Sequence, residues 1–195
     1  MKSKILFILR VPPPYGGGEI VSKELYSQLK DKYDFLLICQ KGHSKAKQTH
    51  FNISSIYRGI GFLYLAFKEI IIKRPKAIYI GLPKTFSSFF RNSIIILFCN
   101  LLRIKIYGEI HGMSFLFLDS YLKRKYFNYI LKKIYKIRVL GFSIKNYLID
   151  VGFKNRIYVI SNGINIPNNK ICKKYPNQNS VNFLYLGAIS ENKGF

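Results

Sequence analysis

KILFILRVPPPYGGGEIVSKELYSQLK, Lys4 to Lys30, decides the fold. It opens with an apolar run, passes through three prolines and three glycines, and ends in an amphipathic run in which Ile20, Leu25 and Leu29 share one face. The order is strand (Lys4–Arg10), turn, helix (Glu19–Lys30). Gly16, Gly17 and Gly18 allow close backbone approach to a neighbour that a side chain would block. They also stand where a helix begins, so free N–H groups and the positive end of the helix dipole meet there. Two readings of the turn stay open at this level: a cradle for an anion or a sugar hydroxyl, or a tight connection that needs glycine for its φ angles.

The alternation continues outward from this unit. Asp34–Cys39 reads as a buried strand, followed by a polar loop over Gln40–Thr49. Phe51–Ile56 predicts a weak strand and Gly59–Lys73 a helix, which Pro75 stops. Lys76–Gly81 is a strand, and Pro83 and Thr85 open a helix to Leu102. Lys105–Ile110 is a strand ending in His111-Gly112, and Asp119–Ile137 predicts one long helix. A short strand at Arg138–Leu140, a helix capped by Ser143 and stopped by Gly152, and a strand at Arg156–Ile160 complete the series. The fold class is therefore α/β: a Rossmann-like, doubly wound parallel sheet with helices on both faces. Polar features fall at the strand carboxyl ends, where such sheets bind ligands: Gly16–Gly18, Gly81–Lys84, His111-Gly112 and Ser161–Gly163.

Composition bounds the function. The 195 residues are 49% hydrophobic, enough for a packed domain, and 32 Lys+Arg against 9 Asp+Glu give a formal charge of +23. That balance favours anionic partners, although a biased genome composition rich in Lys, Ile and Asn also raises it. Cys39, Cys99 and Cys172 are widely spaced with no CxxC pattern, which argues against a zinc site or disulfide framework and fits a reducing compartment. Lys2 and Lys4 precede a short apolar run, but Arg10 and three prolines end it without a small-residue cleavage site, so it does not read as a signal peptide. Ser93–Leu102 lies between Arg91 and Arg103 and falls short of the ~20 residues that span a bilayer, so it reads as a buried helix.

Two nucleotide motifs fail. Gly16 and Gly18 fit a Gly-x-Gly-x-x-Gly fingerprint, but Val21 occupies the third place, and Cys39-Gln40 stands where a ribose-binding acid belongs. Lys84-Thr85 follows Pro83 rather than the glycine a P-loop needs. Glu109 and His111, two apart on a strand, point to one face. They read as an acid/base pair, or as a lone histidine that donates to a sugar hydroxyl, or as a structural histidine.

Four segments together resemble the N-terminal half of a GT-B glycosyltransferase of the retaining family 4. They are PPYGGGE after the first strand, HG at His111-Gly112, YVISNGIN from Tyr158 to Asn165, and FLYLGAISENKG from Phe183 to Gly194. The resemblance covers essentially the whole chain. It implies an N-terminal domain over residues 1–163, a linker over 164–181, and the first strand and loop of a donor-binding domain over 182–195. It implies that His111 sits beside the transferred sugar. Gly16, Gly17, Gly18, Glu19, Gly112, Asn162 and Gly163 are then substrate-binding, and Lys193 neutralises the diphosphate leaving group. No cofactor or metal is implied; the nucleotide sugar is a substrate, and the acceptor is a surface polysaccharide or lipid-linked oligosaccharide. Ala188 departs from the family's usual arginine. The family's glutamate-bearing motif falls beyond Phe195, so the resemblance implies a separately encoded C-terminal half or an inactive remnant that acts as a membrane- or partner-binding module.

The expected location is cytoplasmic, peripheral on the inner face of a membrane. Lys123, Arg124, Lys125, Lys132, Lys133, Lys136 and Arg138, interleaved with aromatics, are the expected interfacial helix for anionic lipid. Nucleic acid is disfavoured as a specific partner, because charge alone suggests it and no helix-turn-helix, RNP or zinc pattern supports it.

Overall fold

The computed structural model describes residues 4–13, 16–39, 53–112, 118–153 and 156–163. The expected loop at Gln40–Thr49, the linker over 164–181 and the strand at Asn182–Leu186 lie outside them, as does Lys193. The elements run β1 (Lys4–Leu9), α1 (Gly17–Leu29), β2 (Asp34–Cys39), α2 (Ile53–Lys73), β3 (Ala77–Gly81), α3 (Phe86–Leu101), β4 (Lys105–Ile110), α4 (Tyr121–Leu131), β5 (Lys136–Val139), α5 (Phe142–Asp150) and β6 (Ile157–Val159). The six strands form one sheet in the order β2-β1-β3-β4-β5-β6. Every pairing is parallel. The fold is α/β and Rossmann-like, as the alternation implies.

Chain direction distributes the helices. From β1 the chain steps one way across the sheet to β2, and every later step runs the other way. Right-handed crossovers then place α1 on one face and α2 to α5 on the other. Side chains agree. Leu6, Ile8, Ile78, Ile80, Ile106 and Ile137 pack with residues of α2, α3, α4 and α5 in one core. The alternate residues of the sheet meet α1 instead: Phe7 stacks on Tyr79 at 5.0 Å, meets Phe35 edge-on at 4.5 Å, and Tyr26 of α1 lies 5.9 Å from Phe35.

Three expectations change. Residues from Ile53 are helix rather than strand, because α2 extends a full 21 residues. Its inner residues Phe62, Leu63, Ala66, Phe67 and Ile70 pack on the sheet, and tertiary burial overrides the β-branched, glycine-containing local signal. The long helix over Asp119–Ile137 ends at Leu131, and Lys136 and Ile137, expected at its end, join Arg138 on β5. A turn breaks it there: Lys133 and Ile134 N–H groups bond back to Ile130 and Leu131, and the Tyr135 N–H reaches Ile106 of β4. Finally, α5 is preceded by Gly141 in extended conformation rather than capped by the Ser143 side chain. Gly152 does terminate α5 with φ +98°, and the Asn128 amide from α4 donates to Val151 O there.

Cys99 is buried within α3, and burial pushes its thiol up to about 12, which makes it a packing group rather than a nucleophile. Gly108 in β4 is required by close approach. A Cβ there would stand 3.3 Å from Leu82 Cδ1 and 3.4 Å from Ile134 methyls. Gly108→Val is therefore expected to lower stability by about 1–3 kcal/mol through overpacking, measured by urea denaturation; an unchanged midpoint would show that the core can yield at this strand.

Candidate functional site

The site is assembled at the carboxyl ends of β1, β3 and β4, with β5 as its support. Gly16 is extended and precedes α1 with no side-chain cap. Gly17 opens the helix, and Glu19 folds back from the first turn over Gly16. The first-turn N–H groups of α1 therefore have no side-chain acceptor at Gly16. Gly17 faces open space, whereas a Cβ on Gly18 would lie 3.7 Å from Cγ and 3.8 Å from Cδ2 of His111. The glycine turn and the histidine, 93 positions apart in sequence (111 minus 18), are thus in direct contact.

His111 is braced from below. Its Nε2 stands 3.1 Å from Oε2 of Glu109, and Glu109 is fully buried. The pair is close but not aligned for a hydrogen bond, so the contact is one of charge and proximity. The other carboxylate oxygen of Glu109 accepts from Arg138 Nη1 at 2.6 Å. Sheet register sets this pair, since Glu109 of β4 lies directly opposite Arg138 of β5. Burial alone would push the Glu109 carboxyl up; His111, Arg138 and the Tyr79 hydroxyl outweigh it and hold it below the usual carboxylate range. Burial, and after it the Glu109 carboxylate, pushes the Tyr79 phenol up, so Tyr79 is a neutral member of the cluster.

Arg138 reaches onward as well. It donates to Ile160 O at 3.2 Å, to Ser161 O at 3.4 Å and to Asn162 Oδ1 at 3.1 Å. One guanidinium thereby joins the carboxylate beneath His111 to the segment leaving β6. On the other side, Gly112 has φ +138°, and a Cβ there would lie 2.6 Å from Lys84 Nζ. The positive φ favours glycine at this corner, and the Lys84 ammonium stands over it.

The structure therefore brings Gly16, Gly18, Glu19, His111, Gly112 and Asn162 into one linked neighbourhood. Gly17 is on its rim, Gly163 has nothing within 4 Å of its Cβ position, and Lys193 is outside the described residues. Sequence spacing found the Glu109–His111 pair. It placed Arg138 on a strand but missed its role beside Glu109, because a cross-strand partner is a matter of register. It missed the Tyr79 contribution for the same reason. Lys84 was visible only as a strand-end polar residue.

The Nδ1 atom of His111 has no hydrogen-bond partner among the described residues. Both ring nitrogens are buried, so the imidazole presents its carbon edge rather than a nitrogen to Gly18. Among the described residues no group of three or more His, Cys, Asp or Glu side chains could hold a metal ion. No helix among them is long and apolar enough to cross a membrane. Comparison with protein-family models and with curated proteins finds no match for the chain.

The buried pair has a pH signature. Glu109 titrates below its ordinary value when folded, so its contribution is complete above the usual carboxylate pKa, about 4.3, and is lost as pH falls through the lower folded value. Glu109→Gln is expected to cost about 3–5 kcal/mol at neutral pH by leaving Arg138 uncompensated. It is also expected to flatten the acid limb of the stability curve, followed by denaturant melts across the acid range. A variant with the wild-type acid limb would show that the pair carries no folding energy.

Proposed function

We propose that the chain is the N-terminal, acceptor-side domain of a retaining GT-B glycosyltransferase that moves a sugar from a nucleotide donor to a glycan or lipid-linked acceptor. The observation that supports this reading most is the contact between Gly18 and His111 at the carboxyl edge of the sheet, the place where the motif resemblance puts the transferred sugar. The parallel sheet and its strand order are compatible with one half of that fold.

In this reading the acceptor oxygen bonds to the anomeric carbon while the bond from that carbon to the phosphate oxygen breaks. The nucleoside diphosphate leaves with the electron pair, and the acceptor proton passes to the leaving phosphate on the same face, so configuration is retained. Substrate geometry is the domain's main contribution. Gly18 carries no side chain against the imidazole edge, and in this reading the transferred sugar lies beside this Gly18–His111 contact. Glu109 and Arg138 hold His111 in place. The start of α1 and the Lys84 ammonium favour the negative charge that grows on the departing phosphate. Lys193 adds a second cation in the donor-binding half that this reading requires.

The test is sugar transfer by the enzyme with its donor-binding half present, using labelled nucleotide sugars, and product configuration read by NMR. His111→Ala is expected to lower turnover by about a hundredfold or more with the circular dichroism spectrum unchanged. Gly18→Leu is expected to block the site, while Gly17→Leu keeps the fold because its side chain enters open space. Wild-type turnover in both His111→Ala and Gly18→Leu would overturn the reading.

A further inference from the structure

The outer face of α2 does not look like the outside of an ordinary sheet-packed helix. Tyr57, Ile60, Tyr64, Ile71 and Ile72 are 58–72% exposed, although the same helix buries Ala66 and Ile70 on its inner side. At about 100° per residue, Ile56, Tyr57, Ile60, Tyr64 and Ile71 fall within an arc of about 100°. The helix is thus apolar on two sides: one is filled by the sheet and α3, the other meets solvent. A contiguous exposed apolar stripe is a docking surface rather than scattered surface hydrophobics.

Charge selects the occupant. Lys68 flanks the stripe, and Lys73 and Arg74 stand at the carboxyl end of the helix, against Glu69 as the one acid of the helix. Lys68 follows the stripe at one helical turn from Tyr64, where a long stem can lie on apolar surface and lift its ammonium to a polar layer. A second copy of the chain is a poor occupant, because it would bring two molecules of formal charge +23 face to face. Nucleic acid would satisfy the cations and leave the isoleucines in water. A bilayer carrying anionic headgroups satisfies both, taking the apolar stripe below the headgroups and the cations at their level. The charges within α2 also preclude a spanning helix.

We infer that α2 is an in-plane membrane-docking helix, which binds anionic bilayers through Tyr57, Ile60, Tyr64 and Ile71 with Lys68 at the headgroups. This surface is distinct from the α4 region, whose helix has 11 residues and whose neighbouring cations Lys136 and Arg138 stand on β5. The inference concerns a different face from the glycine–histidine site and stands or falls independently of sugar transfer.

The chain has no tryptophan, so one introduced residue is a clean reporter. Tyr64→Trp is expected to shift its emission to the blue on vesicles of equimolar phosphatidylglycerol and phosphatidylcholine, and not on phosphatidylcholine alone. Tyr121→Trp, exposed at the start of α4, is expected to stay unshifted on both. In flotation with the mixed vesicles, the double variant Ile60→Asp with Tyr64→Asp is expected to lose at least about tenfold in binding. Both substituted positions are solvent-facing, so the fold is retained, checked by circular dichroism. Three results would overturn the inference: no flotation of the wild type on either vesicle, equal flotation of wild type and double variant, or a blue shift at Tyr121→Trp alone. A dimer of the wild type that the double variant abolishes, seen by light scattering without lipid, would assign the stripe to a second copy instead.

Discussion

A carboxylate buried at the centre of a parallel sheet is the constraint on which this site depends. Glu109 has no access to water, and an unpaired charge there would be expensive. Arg138 resolves the conflict from the neighbouring strand at the same register level. Once the guanidinium is fixed by that pair, its remaining donors are aimed at Ile160, Ser161 and Asn162, and the chain leaving β6 is tied to the same point. Once the carboxylate is fixed, His111 acquires a defined neighbour at Nε2, and its ring edge is presented to Gly18. A single ion pair thus sets the geometry of three strand ends.

The direction of the crossovers complements it. Four helices cover one face of the sheet and supply most of the apolar core. The polar cluster belongs to the other face, which α1 meets through Tyr26 against Phe35 of β2. The residues of β4 and β5 that point to that face, Glu109 and Arg138, are accordingly polar, whereas their neighbours Gly108, Ile110, Ile137 and Val139 belong to the helix-covered side. Core and site are separated by the two-residue period of the strands rather than by distance along the chain.

Much of this was legible before any coordinates. Asp34–Cys39 and Lys105–Ile110 have the bounds that their apolar runs suggest, because buried parallel strands are nearly continuous hydrophobic segments. Gly152 ends α5 as a left-handed glycine should. The failures share a cause. The start of α2 is a short run with Ile53 and Ile56 that reads as a strand by itself, and its helical state is set by the burial of Phe62, Leu63, Ala66 and Ile70 further along. The end of α4 has no glycine or proline, and the break at Lys132–Tyr135 arises from the Tyr135 N–H pairing with β4, a long-range contact. The site followed the same division. Glu109 and His111 are two apart and can be paired by eye; Arg138, 29 residues further on from Glu109, becomes their partner only when β4 and β5 are laid side by side.

The aromatic residues near β4, β5 and β6 give the surplus of basic residues a second meaning. Tyr135 has the Lys105 and Lys136 ammonium groups and the Arg156 guanidinium at 5.4, 5.5 and 5.1 Å, and Lys136 also lies 4.8 Å from the ring of Tyr158 on the edge strand. Each cation shades a ring that would otherwise be bare, while its own head remains hydrated. Here positive charge acts as upholstery for a sheet edge, guarding β6 against the strand-to-strand stickiness that exposed aromatic borders invite. Part of the chain's basicity thus lies over the rings of this sheet edge, and the rest is left for whatever anion the protein meets.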